Sequence, residues 1–313
     1  MKPTRRAVID VGTNSIKLLI GEVADGVARP IDERSDQTRL GAGFYENREL
    51  QPVPIARTAS AVARFVAMAR DAEAESIRII ATSAARDARN AEDLTQAIQR
   101  AAGLRVEIIS GEQEAEWVFC GVTSDPALHG RSLLILDVGG GSTEFIVGGH
   151  EHHSFRHSFP IGSVRLLEQL RPGDPPSLAD LAGCRQWLHD FLSREIGPSL
   201  DKILDGDARQ NVTLVGTGGT TTILARMERK LERFDRASIE GTKLSRQQIL
   251  EYMVHLWSVS LANRKKMVGL PANRADVIIM GVAIYEAVMQ HFNLPELYVS
   301  TRGLRFGALL DTP

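Results

Sequence analysis

An apolar run that leads directly into a loop of glycine, serine and threonine recurs along this chain. The clearest copies lie at residues 7–15, 133–144 and 212–220, and weaker copies lie at residues 77–86 and 297–305. Short apolar runs that end in such turn residues are typical of buried strands. The pattern therefore predicts several buried strands, each of which carries a polar loop at its end.

Between these runs, apolar residues recur at the spacing of amphipathic helices. Ser245 with Gln248 has the form of a capping box, which predicts a helix that ends near Ser258. The mostly apolar stretch 273–292 is predicted to be a central buried helix. Further amphipathic helices are predicted around residues 55–69, 94–101 and 187–192.

The order of these elements predicts an α/β architecture, because strands alternate with helices along the chain. Asp10 and Asp137, which begin the two clearest loops, stand 127 residues apart. That separation is about one domain length. Two similar α/β halves are therefore predicted, with a boundary near residues 123–131.

The composition fits two folded domains. The chain has 313 residues, of which 43% are hydrophobic, and its formal net charge is −2. This length is too great for one ordinary core and comfortable for two. A nearly neutral chain does not steer a polyanion by its overall field, so such a substrate needs a local basic groove. The charge balance argues against a general nucleic-acid binder.

The expected location is the cytoplasm, with no membrane partner. Cys120 and Cys184 stand in apolar surroundings and are predicted to be small core residues, and such sparse cysteine fits a reducing compartment. The N-terminus does not have the pattern of a signal peptide, and no apolar stretch approaches the ~18 residues of a membrane span.

A group of histidines is predicted to form an exposed hairpin tip, because Gly148 and Gly149 before it are typical of a turn. Their spacing does not match a zinc site. The histidines are His150, His152, His153 and His157.

The two aspartate loops suggest a site for phosphate and a metal ion. Each places a carboxylate at a strand end, beside glycines that let backbone N–H groups approach an anion. A carboxylate beside phosphate would repel it unless it held a divalent cation that also binds the phosphate. One such loop would be weak evidence, but two copies one domain apart favour a shared cleft. The loop at 216–220 is a third candidate anion cradle, and its alternative is a tight turn that shapes the cleft.

Glu114 lies near the start of a predicted helix that follows a strand at 106–109 and is capped by Ser110. An acidic side chain at that position interacts favourably with the helix dipole whatever its function, so spacing alone does not single out Glu114. Its helical spacing from Trp117 and Val118 places it on an inward face. A base that orients a water would fit there.

Basic residues follow several of these loops, and guanidinium groups suit phosphate oxygens. Arg86 comes directly after a strand-end loop and is the strongest candidate. Lys17 follows the first aspartate loop and is also assigned to phosphate. Any single one of the others is expected to be a solvated surface charge: Arg89, Arg302, Arg305 and the run 264–266.

Eight short segments along nearly the whole chain are considered together. They are DVGTNS at 10–15, ATSAAR at 81–86, SGEQEA at 110–115, DVGGGSTE at 137–144, GSVRL at 162–166, GTGGT at 216–220, RADV at 274–277 and STRGLR at 300–305. In this order they resemble the exopolyphosphatase/guanosine pentaphosphate phosphohydrolase (Ppx/GppA) family.

The resemblance implies the actin/sugar-kinase/chaperone-ATPase superfold, in which two ribonuclease-H-like domains flank a central cleft. The expected domains are residues 1–125 and 126–299, with the segment from about 300 to 313 packed back on the first. Long family members carry an extra C-terminal helical module, so this chain resembles a short form. Phe306 is a departure, because family members commonly have an acid there.

The resemblance also assigns roles to residues. It makes Glu114 the catalytic residue and places Asp137 and Glu144 at Mg²⁺ or another divalent cation. Together with the loop chemistry, it predicts a set of phosphate-binding residues: Asp10, Gly12, Thr13, Asn14, Ser15, Lys17, Arg86, Gly139, Gly140, Gly141, Ser142, Gly218, Gly219 and Thr220.

The expected activity is that of an exopolyphosphatase, in which a water oriented by Glu114 attacks the terminal phosphoryl group of inorganic polyphosphate. Removal of the 5′ γ-phosphate of guanosine pentaphosphate, or of a nucleoside triphosphate, stays open within the same family. An ATP-dependent kinase or ATP-switched module of the same superfold is the alternative from another class. A homodimer is expected only because dimers are the commonest homo-oligomers.

Overall fold

The computed structural model describes residues 2–149, 152–204, 206 and 211–311. The first half of the chain forms a sheet in the order β3-β2-β1-β4-β5. β1 lies antiparallel to β2 and parallel to β4. The strands are β1 (Thr4–Val11), β2 (Ile16–Ala24), β3 (Val27–Asp36), β4 (Ser76–Ala81) and β5 (Glu107–Ile108).

Side chains of this sheet alternate between two cores, as the two-residue period of a strand requires. Ile9 and Leu18 are buried beneath two of the helices, α1 and α3. Val8 and Leu19 are buried on the opposite face, with Val118 of α4. The helices of this half are α1 (Pro52–Asp71), α2 (Ser83–Asp87), α3 (Ala91–Ala102) and α4 (Gly111–Thr123).

The second half repeats the arrangement in a sheet of order β10-β11-β9-β6-β7-β8. β6 occupies the place of β1, because it lies antiparallel to β7 and parallel to β9. Without the edge strand β10, the two sheets have the same order. The strands are β6 (Ser132–Val138), β7 (Thr143–Gly149), β8 (His152–Phe159), β9 (Val212–Thr217), β10 (Lys243–Ser245) and β11 (Glu296–Val299).

The predicted capping box at Ser245 and Gln248 is confirmed, and the helix that it begins ends at Ser258. A second capping box, Ser177 with Asp180, begins α6. The helices of this half are α5 (Ser163–Leu170), α6 (Leu178–Phe191), α7 (Gly197–Leu200), α8 (Gly218–Glu228), α9 (Arg236–Ile239), α10 (Arg246–Ser258), α11 (Leu261–Arg264) and α12 (Ile278–His291).

The central helix α12 is buried from Ile278 to Met289, as predicted. It begins at Ile278, however, and not at residue 273. The preceding residues are held by contacts with the first half: Asp276 forms an ion pair with Arg39 at 2.8 Å, and the carbonyl of Asn273 accepts a bond from the same guanidinium at 3.4 Å.

The last helix, α13 (Leu304–Leu310), packs against α4 and β1 of the first half. Arg6 and Arg78 donate to the carbonyls of Leu309 and Ala308, each at 3.2 Å. We propose on these contacts that residues 1–125 with 300–313 form one domain and residues 126–299 the other. Within the described ranges, no helix is both long and apolar enough to cross a membrane.

The predicted histidine hairpin is confirmed in part, because β7 and β8 form an antiparallel pair. Gly148 and Gly149 belong to β7 and pair with β8. His152 and His157 are exposed, but His153 is half-buried and its Nε2 lies 2.9 Å from the Glu116 carboxylate. His150 lies outside the described residues. Of the two cysteines, Cys184 is buried as predicted, whereas Cys120 is only half-buried.

Candidate active site

A cavity of about 410 Å³ lies between the two halves, where the strands β1, β4, β6 and β9 end. Most residues that the sequence assigned to the site line this cavity. They are Asp10, Gly12, Thr13, Asn14, Ser15, Lys17, Glu114, Asp137, Gly139, Gly140, Gly141, Ser142, Glu144, Gly218 and Gly219.

The two aspartate loops have the same local construction. In the β1–β2 turn the N–H of Gly12 donates to the carbonyl of Ser15 at 3.1 Å. In the β6–β7 turn the N–H of Gly139 donates to the carbonyl of Ser142 at 2.9 Å. Both turns therefore present short backbone loops to the same cavity, one from each sheet.

The second loop packs tightly against the first half at Gly141. A Cβ atom there would lie 2.5 Å from the hydroxyls of Ser83 and Tyr45 and 2.9 Å from that of Thr13, so glycine is needed for this approach. The Ser83 Oγ and Asn14 Nδ2 atoms are buried without a hydrogen-bond partner in the described part of the chain. Buried polar atoms are normally satisfied, so these two are available to a ligand.

The third loop contributes the N-terminus of α8. Gly218 has a φ of +88°, and the Asp137 carboxylate occupies the space where its Cβ would stand. Glycine is required there for both reasons. Helix N-termini attract anions, so Gly218 and Gly219 fit a phosphate contact. Thr220, by contrast, does not line the cavity, because its side chain packs against Gly281 of α12.

Glu114 stands in the first turn of α4, which Ser110 caps by accepting from the N–H of Gln113, as predicted. Its carboxylate is buried in the cavity wall and accepts a 2.9 Å bond from Arg86 Nη1. The pKa of Glu114 is raised to about 7, mainly by burial and to a smaller extent by the charges of Asp10 and Asp137, against the opposing charge of Arg86.

The position of Arg86 differs from the prediction. Its guanidinium donates to Glu114 and to the carbonyl of Ile109, the latter at 3.2 Å, and it does not line the cavity. Arg86 is therefore placed to hold the Glu114 carboxylate.

Other carboxylates share the cavity with Glu114. Burial raises the pKa of Asp137 to about 6, although Lys17 opposes the shift. Burial also raises the pKa of Glu144 well above its usual range, and the charges of Glu114 and Asp137 add to that rise. Burial raises the pKa of Asp10 as well. The cavity therefore concentrates negative charge that the protein only partly compensates.

Four arginines that the sequence did not assign to the site also line the cavity: Arg34, Arg226, Arg274 and Arg305. Burial lowers the pKa of Arg274 to about 10, and its Nη1 lies 3.4 Å from Ser15 Oγ. Arg305 donates to the carbonyl of Leu18 at 2.9 Å and lies 3.3 Å from the Glu33 carboxylate. Arg305 ends the weak strand-and-loop copy at 297–305, and that pattern was the signal that could have found it.

Phe306, where an acid was expected from the resemblance, also forms part of the wall. The guanidinium groups of Arg236 and Arg302 each lie 4.7 Å from the centre of its ring. Such contacts are favourable cation–π geometry. The aromatic ring on this side of the cavity is therefore in contact with two cations.

Comparison with known proteins identifies a family to which the chain is similar along nearly its whole length. The profile of the Ppx/GppA phosphatase family matches residues 19–312. Exopolyphosphatase 2 of Mycobacterium tuberculosis is 32% identical over 99% of each chain. Guanosine-5'-triphosphate,3'-diphosphate pyrophosphatase of Aeromonas salmonicida is 26% identical over 97% of this chain and 58% of its own length.

Solved structures lead to the same family. The crystal structure of the Aquifex aeolicus Ppx/GppA family member matches with a TM-score of 0.79 and 30% identity, covering 98% of this chain and 97% of that one. An exopolyphosphatase from Cytophaga hutchinsonii matches with a TM-score of 0.87 and 26% identity, covering 98% and 96%. With the repeated sheet order, these matches confirm the predicted actin-like α/β fold. The chain belongs to the Ppx/GppA phosphatase family.

Proposed function

We propose that this protein is an exopolyphosphatase, which hydrolyses the terminal phosphoanhydride bond of inorganic polyphosphate and releases orthophosphate. One observation carries the proposal: the Glu114 carboxylate lines a cavity between two phosphate-type loops, and its pKa is raised to about 7. A carboxylate with such a pKa is suited to take a proton from water near neutral pH. The family and its named exopolyphosphatase members support the same activity.

In the proposed reaction Glu114 orients a water molecule and accepts its proton as the water oxygen attacks the terminal phosphorus. The new P–O bond forms in line with the bridging P–O bond, which breaks, and its electron pair leaves with the shortened chain. Orthophosphate is the other product. Phosphoryl transfer has a loose transition state, so positioning and charge stabilisation dominate the rate.

The protein groups around Glu114 fit the charge of such a substrate. Backbone N–H groups of the two loops, with Ser83 and Asn14, are available to hold the oxygens of the terminal phosphoryl group. Lys17, Arg274 and Arg305 line the same cavity and would offset the charge of the remaining phosphates.

The proposal includes Mg²⁺ or another divalent cation. Asp137 and Glu144 pair across β6 and β7, and a divalent cation would relieve the repulsion that raises the pKa of Glu144. Among the described residues no group of three or more His, Cys, Asp or Glu is arranged to hold a metal. The residues still fit Mg²⁺, which commonly binds one or two carboxylates, phosphate oxygens and water. When bound, it would polarise phosphate oxygens as a Lewis acid.

The experiment that tests the function measures orthophosphate release, with Mg²⁺ and without any acceptor, from tripolyphosphate, long polyphosphate, guanosine pentaphosphate and ATP. Release from the polyphosphates at the highest kcat/KM is expected. Preference for guanosine pentaphosphate would favour the activity named for the Aeromonas relative. Dependence of release on an added acceptor would indicate a kinase. Equal rates on all four substrates would contradict a preference for polyphosphate.

A covalent route is the mechanistic alternative, in which Asp10 or Asp137 attacks the phosphorus directly. A labelled phospho-enzyme that is trapped by acid would establish it and exclude direct attack of water on the polyphosphate. The cytoplasmic location and the homodimer stay predictions.

A further inference from the structure

Arg165 of α5 joins the second aspartate loop, the β6–β7 turn, to the first half of the molecule. Its Nε donates to the carbonyl of Gly141 at 2.7 Å, and its Nη2 lies 2.7 Å from the Asp87 carboxylate. The guanidinium also lies 4.6 Å from the centre of the Tyr45 ring. One planar group therefore contacts a backbone carbonyl of one half and two side chains of the other.

The first turn of α5 holds the same loop through its backbone. The N–H groups of Ser163 and Val164 donate to the carbonyls of Gly139 and Gly140, at 3.0 and 2.8 Å. In a trans peptide the C=O and the following N–H point in opposite directions. With its carbonyls bonded to α5 and Arg165, the loop turns its following N–H groups away from α5.

The partner of Arg165 belongs to the same short helix that holds the proposed base. Asp87 is the last residue of α2, and the preceding residue, Arg86, donates to Glu114. The two ion pairs are therefore neighbours along one five-residue helix. α2 therefore holds Glu114 through Arg86. Through Asp87 and Arg165 it also holds the loop at 139–142 of the other half.

We propose that Arg165 is a positioning residue, which sets the distance between Glu114 and a phosphoryl group held by the loop at 139–142. It contacts neither substrate nor Glu114 directly. Its loss should act mainly on kcat, because the phosphate would keep its other contacts while the attacking water lost its alignment. Small misplacements of reacting groups cost about 100-fold in rate.

The test replaces Arg165 by Met, which keeps an unbranched side chain but removes both polar contacts. Steady-state kinetics should give a kcat lowered about 100-fold and a KM within about threefold of wild type. Asp87→Asn, which leaves the bond to Gly141 in place, should lower kcat by about 10-fold. If the two residues act through one link, the double variant should lose no more than Arg165→Met alone.

Arg171 supplies a matched control, because it also bridges the halves through an ion pair with Glu46 at 2.6 Å but does not touch the loop. Arg171→Met should keep kcat within twofold. The proposal fails if Arg165→Met keeps kcat within twofold, if Arg171→Met loses as much, or if the Asp87 and Arg165 effects multiply. If Arg165→Met does not fold, the test uses Asp87→Asn and Arg165→Lys instead. A wild-type kcat in both of these variants would overturn the proposal.

This inference rests on the proposed hydrolysis, but the two fail separately. The variants are measured on whichever phosphoanhydride the wild-type protein cleaves. Wild-type protein that cleaves guanosine pentaphosphate and not polyphosphate would overturn only the proposed substrate. An unchanged kcat in Arg165→Met would overturn only the positioning role.

Discussion

The β1–β2 turn and the β6–β7 turn share an Asp-Val-Gly sequence and close with the same Gly-to-Ser hydrogen bond. They differ at the residue that pairs with the aspartate across the hairpin. Asp10 is paired with Lys17, whereas Asp137 is paired with Glu144. The residue opposite the aspartate is thus a cation in one hairpin and a second carboxylate in the other.

This difference separates the roles that the two loops can take. The Asp10 loop carries a nearby ammonium group, so an anion can approach it without a metal ion. The Asp137 loop carries two paired carboxylates, and the charge of Asp137 adds to the burial that raises the pKa of Glu144, so this loop favours a cation. In the proposed function, the same backbone turn therefore binds phosphate on one side of the cleft and a divalent ion on the other.

The largest effect is expected on kcat when Glu114, the proposed base between the two loops, is replaced. Glu114→Gln keeps the shape of the side chain but removes the base, so kcat should fall by about 10² to 10⁴-fold. Wild-type kcat/KM should fall as the pH drops below about 7, because the base must be unprotonated. The control is Glu112→Gln, an exposed residue of the same helical turn. Near-normal turnover of Glu114→Gln would end its role as base.

The next largest effect is expected on the Mg²⁺ concentration needed for activity, which should respond differently to substitutions in the two loops. Asp137→Asn should raise the Mg²⁺ concentration for half-maximal activity by about 10 to 100-fold, because it removes a proposed ligand. Asp10→Asn should shift that concentration by less than about threefold and should act on KM for the substrate. A titration of activity with Mg²⁺ measures both. Equal shifts in the two variants would break the distinction between the loops.

A smaller effect is expected on the phosphate side. Lys17→Met should raise KM for polyphosphate about 10-fold, equivalent to about 1.4 kcal/mol, while the Mg²⁺ requirement stays the same. Lys265→Met, at an exposed position of the basic run, is the control and should leave KM unchanged. If Lys17→Met changed only the Mg²⁺ requirement, the first loop would not be the anion side.

The smallest effect concerns stability. The folded-state pKa of Glu144 lies above its ordinary value, so its contribution to stability is present below pH 4.5 and is lost as the pH rises through the folded pKa. Glu144→Gln should therefore raise the melting temperature at pH 8, by about 2 °C, and leave it unchanged near pH 4. Mg²⁺ should also raise the wild-type melting temperature at pH 8. An equal shift at both pH values would point to packing instead of charge.

Sequence patterns predicted much of this site, because glycines and acids at strand ends carry a local signature. Both aspartate loops and the capped helix of Glu114 lie where they were predicted. Thr220 was misassigned because each helical residue turns the side chain by about 100°, so Gly218 and Gly219 face the cavity while Thr220 faces α12.

The cationic groups were harder to predict, because their positions depend on packing between distant segments. Arg86 follows a strand-end loop, but the fold of α2 turns it toward Glu114. Arg305 was expected to be a surface charge, and Arg274 was noted only within the segment RADV, yet the fold places both in the cavity wall. The start of α12 was misplaced for the same reason, since Asp276 is held by Arg39.

The return of α13 to the first half has a consequence for synthesis of the chain. Phe306 and Leu309 complete the apolar layer that contains Val8, Leu19 and Val118. Because residues 304–310 are synthesised after all the other residues of that layer, the layer cannot close until they have left the ribosome. While the second half is being translated, the nascent first half would present an open apolar face, the condition that makes folding intermediates prone to aggregation.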